Sequence, residues 1–305
     1  MIMNLIDVGS STIKLYQLDN GLVNLLEEHS IYFKNGFTTD NGISEENRSE
    51  LFDYFKELQT KYHMNANNTK IYATGIFRNM NGEINNNFIN DFSQVTGLYF
   101  NIISHDLENL YLEKAMEGDY NNKKVLVINM GGKTTELVTI DKGQVVDRRN
   151  IEIGVADLLN EFPEVNELIA KTKIEDIVAF TKNRISDVSL DNDYDCAIFT
   201  GGELRFEKLT KYNLVDNTLF DDGIHPFMVS FADFVKGNNK IFYEMTMDEL
   251  YGLMPHNPKW MDGARPGAVL PQAIFEKAHI NIIIPSDINL INGVVKEGIN
   301  KIELI

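Results

Sequence analysis

An internal repeat in the sequence limits the folds that this chain can adopt. Residues 6–15 and 128–137 align without a gap, and each contains an apolar run, a short turn rich in glycine and hydroxyl side chains, and a second run. The two copies lie 122 residues apart, and the register continues into a second turn, where 19–21 match 141–143. Apolar runs joined by glycine-closed turns predict antiparallel strands. The shared register therefore indicates a duplicated strand–loop–strand unit.

The turn in each copy has the composition of a phosphate-binding loop. Glycine lets the backbone approach a phosphate and aim several N–H groups at its oxygens, and neighbouring hydroxyl groups add donors. The residues with this predicted role are Gly9, Ser10, Ser11, Gly131, Gly132, Thr134 and Thr135. Two such units in one chain predict two domains that bind a phosphate chain in the cleft between them.

Length and composition limit the classes of protein that fit. A chain of 305 residues suits two domains of ordinary size. No apolar run approaches the roughly 20 residues that span a bilayer, and the first residues lead directly into a strand, so we expect neither a membrane span nor a signal peptide. The single cysteine, Cys196, fits a reducing cytosol, and the six histidines lack the spacing of zinc ligands. A formal net charge of −17 argues against a general nucleic-acid binder.

Helices and strands follow each copy of the repeat in alternation, which is typical of mixed α/β domains. The predicted strands of the two meanders are 3–8, 12–18 and 22–33, then 124–129, 135–140 and 144–152. Ser44 is placed to cap a helix over 44–62. We expect one domain over 1–122 and another over 123–287, with the option that a C-terminal helix, 288–305, rejoins the first.

Six segments together resemble the exopolyphosphatase and guanosine pentaphosphate phosphatase (Ppx/GppA) family of the actin-like ATPase superfamily. The resemblance covers nearly the whole chain and follows the family's order. The segments are 7–11 and 127–137 (the two phosphate loops), 73–78 (Ala-Thr-Gly-Ile-Phe-Arg), 103–108 (Ile-Ser-His-Asp-Leu-Glu), 153–155 and 200–202. The implied fold is α/β, with two actin-like (ribonuclease H-like) domains and an interdomain cleft.

The resemblance also implies roles for individual residues. Glu108 would orient or deprotonate the attacking water, while Arg78 and Lys133 would neutralise charge on the transferred phosphoryl group. Lys14, Gly201 and Gly202 would join the phosphate-binding set, and Asp7, Asn129 and Glu136 would hold Mg²⁺ or Mn²⁺. From the residues alone, Arg78 is more typical of an ordinary surface ion pair, and Glu108 of a solvated acidic helix face; only the family motif favours a catalytic role.

Several positions depart from the family's pattern. Asn129 stands where the family usually has a metal-binding aspartate, and Lys133 replaces a glycine. Ser11 replaces an asparagine, and Lys14 an arginine or histidine. An amide keeps an oxygen ligand but loses the charge, so we expect weaker Mg²⁺ binding, and the lysine ammonium is a candidate to occupy the place of the ion.

The function that these residues predict is hydrolysis of a phosphoanhydride bond in short polyphosphate or in a guanosine penta- or tetraphosphate-type nucleotide. A catalytically weak binder or sensor of the same ligands is the first alternative, and a small-molecule kinase is a weaker one. We expect a cytoplasmic protein with no nucleic-acid or membrane partner, and a homodimer is an open option.

Overall fold

A computed structural model of the chain describes residues 2–118 and 120–298. These residues form two compact units, one from the described parts of Met1–Ala115 and Leu290–Ile305, the other from Met116–Asn289. The sequence-based domain ranges, 1–122 and 123–287, stay predictions, and the predicted helix over 288–305 runs beyond the described residues. None of the described helices is both long and apolar enough to cross a membrane.

The first unit is built on a five-stranded sheet. Three strands form an antiparallel meander, and two more pair in parallel beside it, giving the order β3-β2-β1-β4-β5. The strands are β1 (Met3–Val8), β2 (Thr12–Asp19), β3 (Leu22–Ser30), β4 (Thr69–Ala73) and β5 (Phe100–Ile102). β3 ends three residues before the predicted strand 22–33 does, and Phe33, beyond its end, is buried and packs edge-on against Phe77.

Three helices of the first unit follow the strands in chain order. They are α1 (Glu45–Tyr62), α2 (Gly82–Thr96) and α3 (His105–Met116), and a short 3₁₀ helix lies at Gly75–Asn79. The predicted cap is present, since Ser44 Oγ accepts a hydrogen bond of 3.3 Å from the N–H of Asn47. Phenylalanines from α1, α2 and β5 pack against one another and form much of this core.

The second unit is built on a seven-stranded sheet of order β10-β11-β12-β9-β6-β7-β8. Its strands are β6 (Lys124–Met130), β7 (Thr135–Asp141), β8 (Gln144–Ile151), β9 (Cys196–Thr200), β10 (Val215–Asp216), β11 (Phe227–Ser230) and β12 (Ile282–Pro285). β6, β9 and β12 run in parallel, so their carboxyl ends lie at one edge of the sheet. Ligands of open α/β sheets bind at such an edge.

The second unit also contains most of the helices. These are α4 (Val155–Glu161), α5 (Ile174–Arg184), α6 (Glu203–Thr210), α7 (Phe231–Tyr243), α8 (Met247–Leu253) and α9 (Ala264–Lys277), with 3₁₀ helices at Pro163–Asn166 and Pro258–Gly263. The last described helix, α10 (Leu290–Glu297), belongs to the first unit. Gly293 is required there, because a Cβ would lie 1.7 Å from the carbonyl oxygen of Tyr111.

The predicted duplication is confirmed by the strand pairing. In the first copy Asp7 lies opposite Lys14 across β1 and β2, and in the second copy Asn129 lies opposite Glu136 across β6 and β7. The hairpins that follow match as well, since their glycines both have positive φ, 85° at Gly21 and 76° in the second copy. The two meanders are therefore the same unit with different side chains.

Arg265 occupies the interior of the second unit with none of its surface exposed. Its guanidinium donates hydrogen bonds of 2.8 to 3.3 Å to backbone carbonyl oxygens from two segments of the chain, 165–168 and 241–245. The acceptors are Val165, Glu167, Leu168, Ile241 and Met245. One buried cation therefore satisfies carbonyls that helices alone leave without donors.

Arg265→Met should lower the free energy of unfolding by about 3 kcal/mol or more, because several buried carbonyls would lose their donors. Urea denaturation followed by circular dichroism measures this change. Arg184→Met is the matched control, since Arg184 is exposed and donates one bond of 3.3 Å to a carbonyl. Equal stability of the two variants would show that the buried network is dispensable.

Candidate functional site

The first loop is fastened to the turn that follows β4. Ser10 Oγ accepts a hydrogen bond of 3.0 Å from the N–H of Ile76 and occupies the space that a Cβ on Gly75 would need. Gly75 has a φ of 59°, a second reason for glycine at this position. The carbonyl of Ser11 accepts a bond from Ile31, which joins the loop to the segment after β3. With its oxygen accepting, the Ser10 hydroxyl keeps its own hydrogen for a ligand oxygen.

The two predicted catalytic residues form one ion pair. Nη1 of Arg78 lies 2.5 Å from Oε2 of Glu108 and also donates to the carbonyl of Ile103. Only 12% of the Arg78 side chain and 18% of the Glu108 side chain are exposed. Nε of Arg78 is buried and has no acceptor among the described residues. An unpaired buried donor on a cation is suited to an anionic ligand.

Glu108 reaches Arg78 because of the way α3 begins. Ser104 precedes the helix, and its Oγ accepts a hydrogen bond from the N–H of Leu107. The carbonyl of Ser104 accepts from the N–H of Glu108, which places that residue in the first helical turn. The end of β5 and the start of α3 therefore position the Glu108 carboxylate next to Arg78.

Charged side chains form a row across the first meander. Asp7, Lys14 and Glu28 are neighbours in the register of β1, β2 and β3, and Nζ of Lys14 lies 3.9 Å from Oε1 of Glu28. Burial raises the pKa of Asp7 to about 6, while the Lys14 ammonium opposes the rise and the Glu108 carboxylate adds to it. A phosphate that binds Lys14 would compete with these carboxylates.

At the second loop, hydrogen bonds converge on Glu136. Its two carboxylate oxygens accept from Nδ2 of Asn129 at 3.0 Å and from Oγ1 of Thr134 at 2.7 Å. Thr135 is fully buried, and its hydroxyl donates to the carbonyl of Ile153. In this arrangement the loop offers a ligand its backbone rather than the two threonine hydrogens.

The start of α4 packs directly on the second loop. The N–H groups of Val155 and Ala156 donate to the carbonyls of Gly131 and Gly132, at 3.1 and 3.0 Å. A Cβ on Gly154 would lie 2.4 Å from the carbonyl carbon of Gly132, so the contact requires glycine.

Lys133 is held by the same helix. Its ammonium lies 2.7 Å from Oδ1 of Asp157, and about half of the lysine side chain is exposed. The other oxygen of Asp157 accepts from the N–H of Gly154. The lysine that replaces the family's glycine therefore has an acidic partner within the second unit.

The glycine pair after β9 is the third segment that was predicted to bind phosphate. Gly201 and Gly202 have φ values of 116° and 121°, which side chains other than glycine rarely adopt. The N–H groups of Gly202 and Glu203 donate to the carbonyl of Ser286, at 3.4 and 3.2 Å. A Cβ on Gly201 would lie 3.4 Å from Oδ1 of Asn129, so the turn borders that side chain.

The predicted metal ligands are divided between the units, with Asp7 in the first and Asn129 and Glu136 in the second. Within the described ranges, no group of three or more His, Cys, Asp or Glu side chains is arranged to hold a metal ion. Mg²⁺ prefers oxygen ligands and is commonly held by one or two carboxylates together with substrate phosphates. The Glu136 carboxylate and the Asn129 amide oxygen are too few to hold Mg²⁺ alone, but they fit an ion that is also bound by substrate phosphate.

Sequence reasoning missed a buried group at the same edge of the second sheet. His225 lies between Asp222 and Ser286, and Ser286 follows directly after β12. The histidines lack metal-ligand spacing, and no local pattern connects residues that are 61 positions apart. The only hint of this group in the sequence is the three-residue spacing of Asp222 and His225 within a glycine-containing loop.

Comparison with known proteins relates most of the chain to one family. The sequence model of the Ppx/GppA phosphatase family matches residues 24–301. The crystal structure of an exopolyphosphatase from Cytophaga hutchinsonii aligns over 100% of this chain and 99% of its own, with a TM-score of 0.75 and 15% identity. A Ppx/GppA family member from Aquifex aeolicus aligns over 99% of both chains, with a TM-score of 0.68 and 19% identity. These structures share the fold. No curated protein matches the chain.

Asp7→Asn should stabilise the protein in a pH-dependent way. A carboxyl group with an ordinary pKa of 3.8 and a folded-state pKa of about 6 binds its proton more tightly in the folded state. Its ionisation therefore costs stability increasingly between these two pH values and fully above them. The gain in unfolding free energy should grow from about pH 4 to about pH 7.

Chemical denaturation at several pH values measures this gain, with Asp40→Asn, at an exposed position, as the control. A gain that stays constant with pH would contradict the assigned burial of Asp7.

Proposed function

The chain belongs to the Ppx/GppA phosphatase family, and on that premise we propose that it hydrolyses phosphoanhydride bonds in short polyphosphate or in guanosine penta- or tetraphosphate-type nucleotides. The observation that carries the proposal is the ion pair of Arg78 and Glu108, since its arginine has a buried donor without an acceptor. Anion binding and water activation need these two groups close together.

In the proposed reaction, Glu108 orients the attacking water and accepts its proton. Arg78 neutralises charge on the transferred phosphoryl group. Phosphoryl transfer depends on positioning and charge neutralisation, so a fixed guanidinium contributes in both the bound state and the transition state. The Ser10 hydroxyl supplies a further donor from the first loop.

The second loop is proposed to bind phosphate through the N–H of Gly132, assisted by the ammonium of Lys133. The N–H of Gly131, also predicted to bind phosphate, instead closes the loop by donating to the carbonyl of Thr134. Glu136 and the oxygen of Asn129 would hold Mg²⁺ or Mn²⁺. When bound, the ion supplies positive charge that offsets charge on the phosphate oxygens. Because an amide replaces one carboxylate, we expect activity to need a high concentration of Mg²⁺.

The substrate is proposed to be short. A protein with a net charge of −17 repels a long polyanion, so tripolyphosphate or a nucleotide should be hydrolysed with a higher kcat/KM than chains of hundreds of phosphates. Phosphate release from each substrate with Mg²⁺ or Mn²⁺ tests this order. Processive digestion of long polyphosphate chains would contradict the predicted preference for short substrates. A cytoplasmic location and a homodimer remain predictions from the sequence.

A second candidate function, a sensor that binds these ligands with little turnover, is favoured by one observation. Asn129 donates its amide hydrogen to Glu136, where an aspartate would present a second carboxylate to a metal ion. Tight phosphate binding without phosphate release would identify the sensor.

Glu108→Gln should lower kcat by about 10²–10⁴-fold with little change in the affinity for a non-hydrolysable phosphate chain, because general-base assistance has that size. Arg78→Ala should weaken both affinity and kcat. Asp106→Asn serves as the control, since Asp106 is an exposed acid in the same helical turn. Steady-state kinetics and calorimetry measure the two effects. Full turnover by the Glu108 variant would remove Glu108 from the mechanism.

Asn129→Asp should bind Mg²⁺ more tightly and turn over faster. The new carboxylate would replace an amide donor beside Glu136, and two adjacent carboxylates favour a cation between them. Calorimetric titration with Mg²⁺ reads this effect without relying on activity. If the single variant is unchanged, the double variant Asn129→Asp, Lys133→Gly tests whether the ammonium limits binding. No gain in either variant would exclude Asn129 as the cause of weak metal binding.

A further inference from the structure

Two buried side chains, His225 and Ser286, and the partly exposed Asp222 form a continuous hydrogen-bonded chain next to the Gly201–Gly202 turn, and the proposed reaction does not use them. Nδ1 of His225 lies 2.6 Å from Oδ2 of Asp222, and Nε2 of His225 lies 3.0 Å from Oγ of Ser286. His225 is 3% exposed and Ser286 is 1% exposed. This set of three residues is called the His225 chain below.

Neighbouring bonds determine the direction of donation along the His225 chain. Asp222, as a carboxylate, can only accept, so Nδ1 of His225 carries a hydrogen and donates it to Asp222. In the neutral imidazole, Nε2 then accepts from the hydroxyl of Ser286, whose oxygen also accepts from the N–H of Ile288 at 3.2 Å. The second carboxylate oxygen of Asp222 accepts from the N–H groups of Ile224 and His225. The histidine ring is thereby fixed at both nitrogens.

The backbone of Ser286 connects the His225 chain to the glycine turn. Its N–H donates to the carbonyl of Phe199 at 2.8 Å, which extends the pairing of β12 with β9. Its carbonyl accepts from the N–H groups of Gly202 and Glu203. Ser286 is therefore held by His225 on one side and holds the turn on the other.

The Gly201–Gly202 turn also lies next to Asn129, a predicted metal ligand. Asn129 pairs with Thr200 across β6 and β9, and a Cβ on Gly201 would lie 3.4 Å from Oδ1 of Asn129. Groups that orient the ligands of a metal site affect metal affinity or activity by about 10–100-fold when removed. We propose that His225, fixed by Asp222, is a positioning residue that holds Ser286 and thereby keeps the Gly201–Gly202 turn in place beside Asn129.

A nucleophilic serine does not fit the same three residues. The order of partners resembles that of an Asp-His-Ser triad, which needs an accessible hydroxyl and N–H donors for an oxyanion. Ser286 is buried, and the nearby N–H groups of Gly202 and Glu203 already donate to its own carbonyl. The geometry therefore assigns the His225 chain to positioning.

The test compares His225→Phe, Ser286→Ala and their double variant with the unchanged protein. Hydrogen–deuterium exchange of peptides covering 200–206 reports directly on the turn and does not depend on activity. Asn217→Ala is the control, because Asn217 supports the same loop through the carbonyl of His225 and the N–H of Leu219 without touching Ser286. Exchange at 200–206 should rise in both single variants, with no further rise in the double variant, and should stay unchanged in the control.

The catalytic consequence rests on the proposed function. The Mg²⁺ concentration for half-maximal phosphate release should rise by about tenfold in His225→Phe and in Ser286→Ala. An unchanged exchange rate at 200–206 in both single variants overturns the proposal, as does an equal rise in Asn217→Ala. If the unchanged protein releases no phosphate, the proposed function fails, and the exchange result still decides the role of His225.

Discussion

Both candidate phosphate loops depend on the same backbone hydrogen bond, from a glycine N–H to the carbonyl three residues further on. The distances are 2.9 Å from Gly9 to Thr12 and 2.8 Å from Gly131 to Thr134. This bond closes the turn and sets the register of the strands on either side. As a consequence, a matching cross-strand pair stands two residues before the glycine of each loop, and the chemistry of that pair distinguishes the two copies. The first pair combines a carboxylate with an ammonium, and the second combines an amide with a carboxylate.

Most polar side chains around the loops already have partners in the protein. Ser10 accepts from a backbone N–H, Thr134 donates to Glu136, and Lys133 pairs with Asp157. A ligand would therefore exchange these partners rather than meet solvated groups. Such exchange lowers the net gain from each contact, but it keeps the site in a defined geometry before binding. The unpaired Nε of Arg78 is the exception at the Arg78–Glu108 ion pair.

Features that arise from local pattern could be predicted from the sequence. The duplicated unit, its register and the cap at Ser44 depend on alternation, glycine turns and capping residues that are close in the chain. The ion pair of Arg78 and Glu108 joins residues 30 positions apart across a strand, so only the order of family motifs suggested a common role. The bond between Lys133 and Asp157 requires the position of α4, and the His225 chain requires a loop to return to the end of β12. Sequence periodicity contains no information on such contacts between distant segments of the chain.

Both copies of the duplicated unit are proposed to bind phosphate. Titration of the isotopically labelled protein with a non-hydrolysable imidodiphosphate, followed by NMR of the backbone amides, distinguishes binding at both loops from binding at one. We expect saturable shifts of the amide signals at 9–11 and at 131–134, with larger shifts when Mg²⁺ is present. Shifts confined to one loop, or absent from both, would show that the two copies do not both bind phosphate.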